Sequence, residues 1–150
     1  MLNKDYRWIK KFDPNKRVFV GRSYFFVKRM MDLSIIFLAS PVWVPVIIII
    51  YLAIFVSAPT APVIYTNKRA GIGGKTFLFY KFRTMVPNAD ALKEKYMHLN
   101  ELKWPDFKIT NDPRVTTVGK FLRKTSLDEL PQIFNIIKGE MSLVGPRPTD

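Results

Sequence analysis

The sequence predicts an α+β protein, mostly helical, in which a re-entrant membrane helix–break–helix carries a small cytoplasmic domain with a β-hairpin. Three observations predict it. Leu33 to Ala58 is a run of 26 residues without a charge, longer than the ~20 apolar residues a bilayer-crossing helix needs. Ser40-Pro41 and Pro45 interrupt that run, and a cationic segment stands at each end of it. Farther on, two β-prone stretches enclose the glycine-dense link Ala70-Gly71-Ile72-Gly73-Gly74, the signal of a hairpin.

The totals bound the answer. A chain of 150 residues supports one domain with a membrane appendage. An apolar content of 48% excludes disorder. The net charge of +12 is unevenly placed: residues 1–32 carry nine Lys/Arg and three acids, 33–66 carry no charge, and 67–150 carry fifteen Lys/Arg and nine acids. Such a chain is drawn to anionic headgroups and phosphorylated substrates. Nucleic acid would also attract the charge, but the apolar run argues against that partner, so none is expected. The absence of cysteine excludes disulfides, thiolate metal sites and cysteine nucleophiles, and fits a cytoplasmic face. The 32 mostly polar residues ahead of the run do not read as a secretory signal.

Residues 1–27 mix aromatics with cations, from Tyr6 and Trp8 to Phe26 and from Lys4 to Arg22. That mixture suits an interfacial segment in the headgroup region, or a flexible basic tail. Lys28-Arg29 then precedes the apolar run and Lys68-Arg69 follows it. Lys/Arg-rich flanks stay on the cytoplasmic side, so a straight span misplaces one flank, whereas a re-entrant helix over 28–58 satisfies both. Pro41 has no N–H for the carbonyl of Phe37, which makes Ser40-Pro41 the expected break and the Ser40 hydroxyl a nearby partner for the freed carbonyl. A kinked spanning helix remains the alternative.

Residues 62–85 read as two strands. Period two along the second places Phe77, Phe79, Lys81 and Arg83 on one face, an anion site on an apolar floor or an edge strand with solvated cations. Residues 87–104 carry helix formers with a narrow stripe of Leu92, Tyr96 and Leu99, and His98 lies off that stripe as an exposed residue. Lys108 to Thr117 reads as polar linker with a turn at Asp112-Pro113. Val118, Phe121 and Leu122 form a short apolar face opposite Lys120, Arg123 and Lys124.

Thr125 to Pro131 opens a further helix whose Leu130, Ile133, Phe134 and Ile137 are expected to pack inward, with Lys138-Gly139 as its end. Asp128-Glu129 has two readings. Ser126 and Glu129 have capping-box spacing, and carboxylates favour a helix N-terminus. Pro131 opposes that register, because its missing N–H would break an intrahelical bond unless the helix starts later. Alternatively one carboxylate attacks phosphorus while the other holds a divalent cation. Beyond the helix, Arg147 stands in a rigid Gly-Pro-Arg-Pro loop, and guanidinium geometry suits phosphate.

Together these residues resemble the bacterial sugar transferase family, the monotopic polyprenyl-phosphate phosphoglycosyl transferases. The matching stretches are KRMMDL (28–33), Ser40-Pro41, PVIY (62–65), KRAGIGGKTF (68–77), YKFRTM (80–85) and NDPRVTTVGKFLRKTSLDELPQIFNIIKGEMSLVGPRP (111–148). NAD (88–90) is similar to the subgroup that starts exopolysaccharide repeat units. The resemblance implies transfer of a sugar 1-phosphate from a nucleoside diphosphate sugar, a UDP-sugar first of all, to undecaprenyl phosphate, with Mg²⁺ as cofactor. It implies Asp128 as nucleophile, Glu129 as magnesium ligand, and Lys81, Arg83, Arg123 and Arg147 as phosphate-binding residues. It further implies Ser40-Pro41 as the turn of a re-entrant helix, a catalytic domain over 59–150, and the bacterial inner membrane as location, with the catalytic part on the cytoplasmic face. Family members continue past the Gly-Pro-Arg-Pro motif, so the chain is expected to be truncated at its C-terminus. An inactive fragment serving only as a membrane-surface interaction module is therefore the other reading. The resemblance leaves sugar identity and oligomeric state open.

Overall fold

The computed structural model describes residues 21–71, 75–102 and 109–145. The N-terminal segment up to residue 20, part of the glycine link and the Gly-Pro-Arg-Pro loop beyond Gly145, Arg147 included, lie outside the described residues.

The apolar run folds as two helices separated at Ala39: α1, Gly21–Leu38, and α2, Ser40–Ser57. Ala39 still donates its N–H to Ile35 O at 2.9 Å, and its own carbonyl accepts from Val42 at 3.0 Å and Trp43 at 3.2 Å. Pro41 thus sits in the first turn of α2, where a missing N–H costs nothing. Pro45 is tolerated inside α2. The side chain that reaches back over the break is Trp43 rather than Ser40: its indole Nε1–H donates to Ile36 O at 2.8 Å. α2 is the one described helix long and apolar enough to cross a membrane by length and composition. Few of its side chains are buried within the protein, and Val42, Ile48, Ile49, Leu52 and Val56 are all exposed.

The expected hairpin is present, as β1, Ile64–Ala70, paired antiparallel with β2, Thr76–Phe82, in the register Tyr65↔Lys81 and Asn67↔Phe79. Short pairing between Met85 and Val115 extends the sheet side of the fold. Helix α3, Thr117–Thr125, is capped by the Thr116 hydroxyl, which accepts from Gly119 N–H at 2.9 Å. A 3₁₀ turn, Leu127–Glu129, leads through Pro131 into α4, Gln132–Lys138, which ends at Gly139 in the left-handed region. The core joins the apolar run to the rest of the fold: Ile50 and Ile54 of α2 pack with Val63, Phe82 and Leu122. Burial of these side chains away from water holds α2 to the sheet and α3.

Three sequence expectations need correction. Residues 88–96 form successive turns, and only Met97–Leu99 is helical, as a 3₁₀ turn carrying an exposed His98. The stripe of Leu92, Tyr96 and Leu99 is too narrow and too exposed to hold an α-helix, and Asn88 is left-handed at φ 62°. The stretch around Asp112 is no solvated linker: Asp112 and Arg114 form a buried pair at 2.6 Å. In α4, Phe134 and Ile137 face outward, while Asn135 and Ile136 face in. Asn135 is 0% exposed. Its Oδ1 accepts from Tyr80 N–H at 3.1 Å and its Nδ2 donates to Leu78 O at 2.6 Å, so it pairs the outer edge of β2.

α4 also touches both arms of the broken helix. Arg29 of α1 donates to the carbonyls of Ile136 and Ile137 at the C-terminus of α4, where a cation offsets the negative helix end. Trp43 of α2 meets Phe134 edge-on at 6.4 Å. A buried Asp32 accepts from Ser142 Oγ at 2.6 Å.

Candidate active site

Two strands, a turn and a helix meet around one cleft of about 1310 Å³. Lys81, Arg83, Arg123 and Asp128, all singled out from the sequence, line it. The floor is one face of the hairpin. Because Tyr65 pairs with Lys81 and Asn67 with Phe79, β1 adds Tyr65, Asn67 and Arg69 to the same face. Phe79, 4% exposed, lies beneath two cations: Lys81 Nζ is 5.5 Å and Arg69 Cζ 5.7 Å from its ring centroid. The β1 residues were missed because strand register is not visible in a single sequence.

Asp128 occupies the middle of the 3₁₀ turn and is 9% exposed. Ser126, just ahead, has φ 57° and ends α3 by donating its N–H to Arg123 O. Its side chain makes no cap for the turn, and the helix proper starts after Pro131. The capping-box reading of Ser126 and Glu129 therefore falls. Glu129 instead binds Lys81, Oε1 to Nζ at 2.8 Å. Burial holds the Asp128 carboxyl above its ordinary value of 3.8; Lys81 pulls it down, Glu129 pushes it up and Arg123 pulls it down slightly.

Arg123 projects from α3 into the cleft with its Nε–H donated to Thr84 Oγ1 at 2.9 Å. Arg83 is placed differently from its expected role. Although it borders the cleft, its guanidinium donates to Ala58 O at 3.0 Å and Ile54 O at 3.4 Å at the C-terminal end of α2, and to Pro62 O at 2.8 Å in the segment that follows. Those bonds cap helical carbonyls and leave less of the fork for a phosphate. The lip of the cleft, Val86 to Ala91, is fastened by Arg114, whose carbonyl accepts from Val86 N–H at 2.8 Å and whose Nη1 donates to Ala89 O at 3.1 Å. Asp112 holds Arg114 there, and in return Arg114 keeps the Asp112 carboxyl below its ordinary range.

The acid pair suits magnesium in one particular mode. Among the described residues no three His, Cys, Asp or Glu side chains cluster as a metal cage. Magnesium is usually held by one or two carboxylates together with substrate phosphates, and adjacent hard-oxygen donors beside cleft cations fit that pattern.

Asp128 and the cations Arg69, Lys81 and Arg123 thus share one cleft beside a long apolar helix, with Glu129 ion-paired to Lys81. Residues 23–150 match the family described as bacterial sugar transferase. The chain is 49% identical over 135 residues to the undecaprenyl-phosphate galactose phosphotransferase of Salmonella typhimurium, covering 85% of this chain and 27% of that protein. It is 42% identical over 125 residues to the exopolysaccharide production protein ExoY of Rhizobium meliloti, covering 81% of this chain and 55% of that protein. A UDP-N-acetylgalactosamine-undecaprenyl-phosphate N-acetylgalactosaminephosphotransferase of Aeromonas hydrophila is 40% identical over 125 residues, covering 83% of this chain and 27% of that protein. The chain belongs to the bacterial sugar transferase family. It spans 27% to 55% of the length of these three relatives.

Proposed function

We propose that this chain carries out sugar 1-phosphate transfer from a nucleoside diphosphate sugar, with UDP as the carrier, to undecaprenyl phosphate. The observation that carries the reading is the placement of Asp128. It is buried at the cleft with Lys81 and Arg123 acting on its charge, in a 3₁₀ turn that lies ahead of α4 rather than at its cap. In the proposed reaction a carboxylate oxygen of Asp128 attacks the sugar-linked phosphorus. The bond from that phosphorus to the bridging oxygen breaks, and the nucleoside monophosphate leaves with the electron pair. An oxygen of undecaprenyl phosphate then attacks the same phosphorus, the aspartyl–phosphate bond breaks, and Asp128 returns as a carboxylate. An ionised carboxylate needs no general base, which suits a cleft where no histidine is at hand. Lys81 and Arg123 screen the anionic reactants as they approach. Glu129 is the magnesium ligand of this proposal, and the ion when bound neutralises the diphosphate.

The two arms of the broken helix enter and leave on the cytoplasmic face of the bacterial inner membrane, in the same proposal. Support comes from the break at Ala39, the basic residues before and after the run, and the contact of α4 with both arms. The test is trapping: membranes holding the chain are incubated with UDP-galactose or UDP-N-acetylgalactosamine labelled in the sugar-linked phosphate. We expect label on the protein, lost in Asp128→Asn while membrane binding persists. An unlabelled wild-type chain, or a labelled Asp128→Asn variant, refutes the assignment.

A further inference from the structure

Thr84 is the residue around which the cleft cation Arg123 is set. It lies just beyond β2, is buried, and borders the cleft. Its backbone is fixed from two sides. The Thr84 carbonyl accepts from Thr116 N–H at 3.0 Å and from Thr116 Oγ1 at 3.3 Å. Gly119 of α3 comes so close that a Cβ there would stand 2.0 Å from Thr84 O. With its main chain held by the start of α3 and its side chain buried, Thr84 presents a hydroxyl that accepts from Arg123 Nε–H at 2.9 Å.

That bond matters because Arg123 is otherwise exposed on its helix. A long exposed side chain samples many rotamers, and each must be given up when it clamps a ligand. Tying Nε to a fixed oxygen leaves the two terminal nitrogens free in direction but no longer in position. Guanidinium recognition of phosphate uses that planar fork.

We propose that Thr84 is a positioning residue that pre-organises Arg123 for the diphosphate of the donor. The inference rests on the transferase reading and adds to it a residue that touches no substrate. A hydroxyl is required, whereas the methyl group is not, so serine should serve and valine should not.

The experiment measures UDP binding to the full 150-residue chain in lipid nanodiscs by calorimetry, with melting curves for each variant. We expect Thr84→Val to bind UDP about ten-fold more weakly, the size of the ordering cost of one long side chain that must then be met on binding. Thr84→Ser should restore affinity to within about two-fold. Arg123→Gln should weaken binding at least as much, and adding Thr84→Val to it should change nothing further, because the two act through one bond. Should Thr84→Val melt at lower temperature than the wild type, Thr84→Ala in the presence and absence of Arg123→Gln gives the same cycle. Additive effects, or Thr84→Val equal to wild type while Arg123→Gln is impaired, overturn the inference alone. Equal binding by Arg123→Gln and wild type overturns the inference, whereas the transferase reading beneath it falls only if wild-type protein fails to trap the labelled phosphosugar.

Discussion

Gly119→Ala is the most informative single change, because two effects of opposite sign compete and the structure says which wins. Alanine is favoured over glycine inside a helix by up to about 1 kcal/mol, so a view of α3 in isolation predicts stabilisation. The structure predicts the reverse. A Cβ at 119 would lie 2.0 Å from Thr84 O and 2.7 Å from Thr84 C, where contacts under 3.0 Å do not occur. Both neighbours are main-chain atoms, so relief needs α3 and the segment at Thr84 to part by about 1 Å. That motion stretches the bonds from Thr116 N–H and Oγ1 to Thr84 O, now 3.0 and 3.3 Å, to roughly 4 Å, beyond hydrogen-bonding range. Overpacking costs about 1–3 kcal/mol, and each lost bond about 1 kcal/mol. With the propensity gain subtracted, the variant should be less stable by about 2–4 kcal/mol. Urea unfolding in detergent micelles, followed by circular dichroism, measures this, with Gly145→Ala as control because nothing lies within 4 Å of its Cβ. A Gly119→Ala protein as stable as wild type, or more so, would refute the packing argument.

Two further outcomes follow from the charged groups. If Asp128 is the nucleophile, transfer falls as pH drops through its raised pKa, so the acid limb of the rate profile should lie above the 3.8 of an ordinary aspartate. Glu129→Gln removes a like charge and should move that limb down; Lys81→Met removes the main opposing cation and should move it up. The folding consequence has its own sign: the folded state holds this proton more tightly, so Asp128 costs stability above its raised pKa, and the cost fades as pH falls towards 3.8. Asp112 behaves oppositely. Its folded pKa is lowered by the bond from Arg114, so its contribution is present above 3.8 and lost as pH falls through the lowered value. Asp112→Asn leaves the buried Arg114 without its carboxylate and should cost about 3 kcal/mol at pH 7 in the same urea assay.

Local signals carried the parts of the fold that local signals can encode. The hairpin came from two β-prone runs around glycines, the break from Ser40-Pro41, and the later helix start from Pro131. Lys81 and the Asp128-Glu129 pair stand out by residue type and spacing, Arg123 through the resemblance to the bacterial sugar transferase family, and the structure brings Lys81, Arg123 and Asp128 to one cleft. What stayed hidden depends on contacts distant in the chain. Arg69, Tyr65 and Asn67 reach the floor only through strand register. Arg83 does line the cleft, but nothing local shows that the carbonyls of Ile54 and Ala58 lie beside it. Asn135 sits as a polar residue in an apolar stretch, and only the unpaired edge of β2 explains its burial. The sequence also misplaced Phe134 and Ile137, since an amphipathic pattern does not say whether an apolar face meets protein or is left outside.

The attachment of Arg83 to the end of α2 turns that helix into a ruler. Arg83 stands two residues from Lys81, and it grips the carbonyls of Ile54, Ala58 and Pro62. Cleft and helix end are therefore one rigid piece, reinforced by Ile50 and Ile54 in the core. The 18 residues of α2 span about 27 Å. Each residue inserted or deleted ahead of Ile50 would change the height of the cleft above the break by about 1.5 Å and turn it by about 100°. Helix length thus sets both the distance and the heading of Asp128 relative to the break at Ala39.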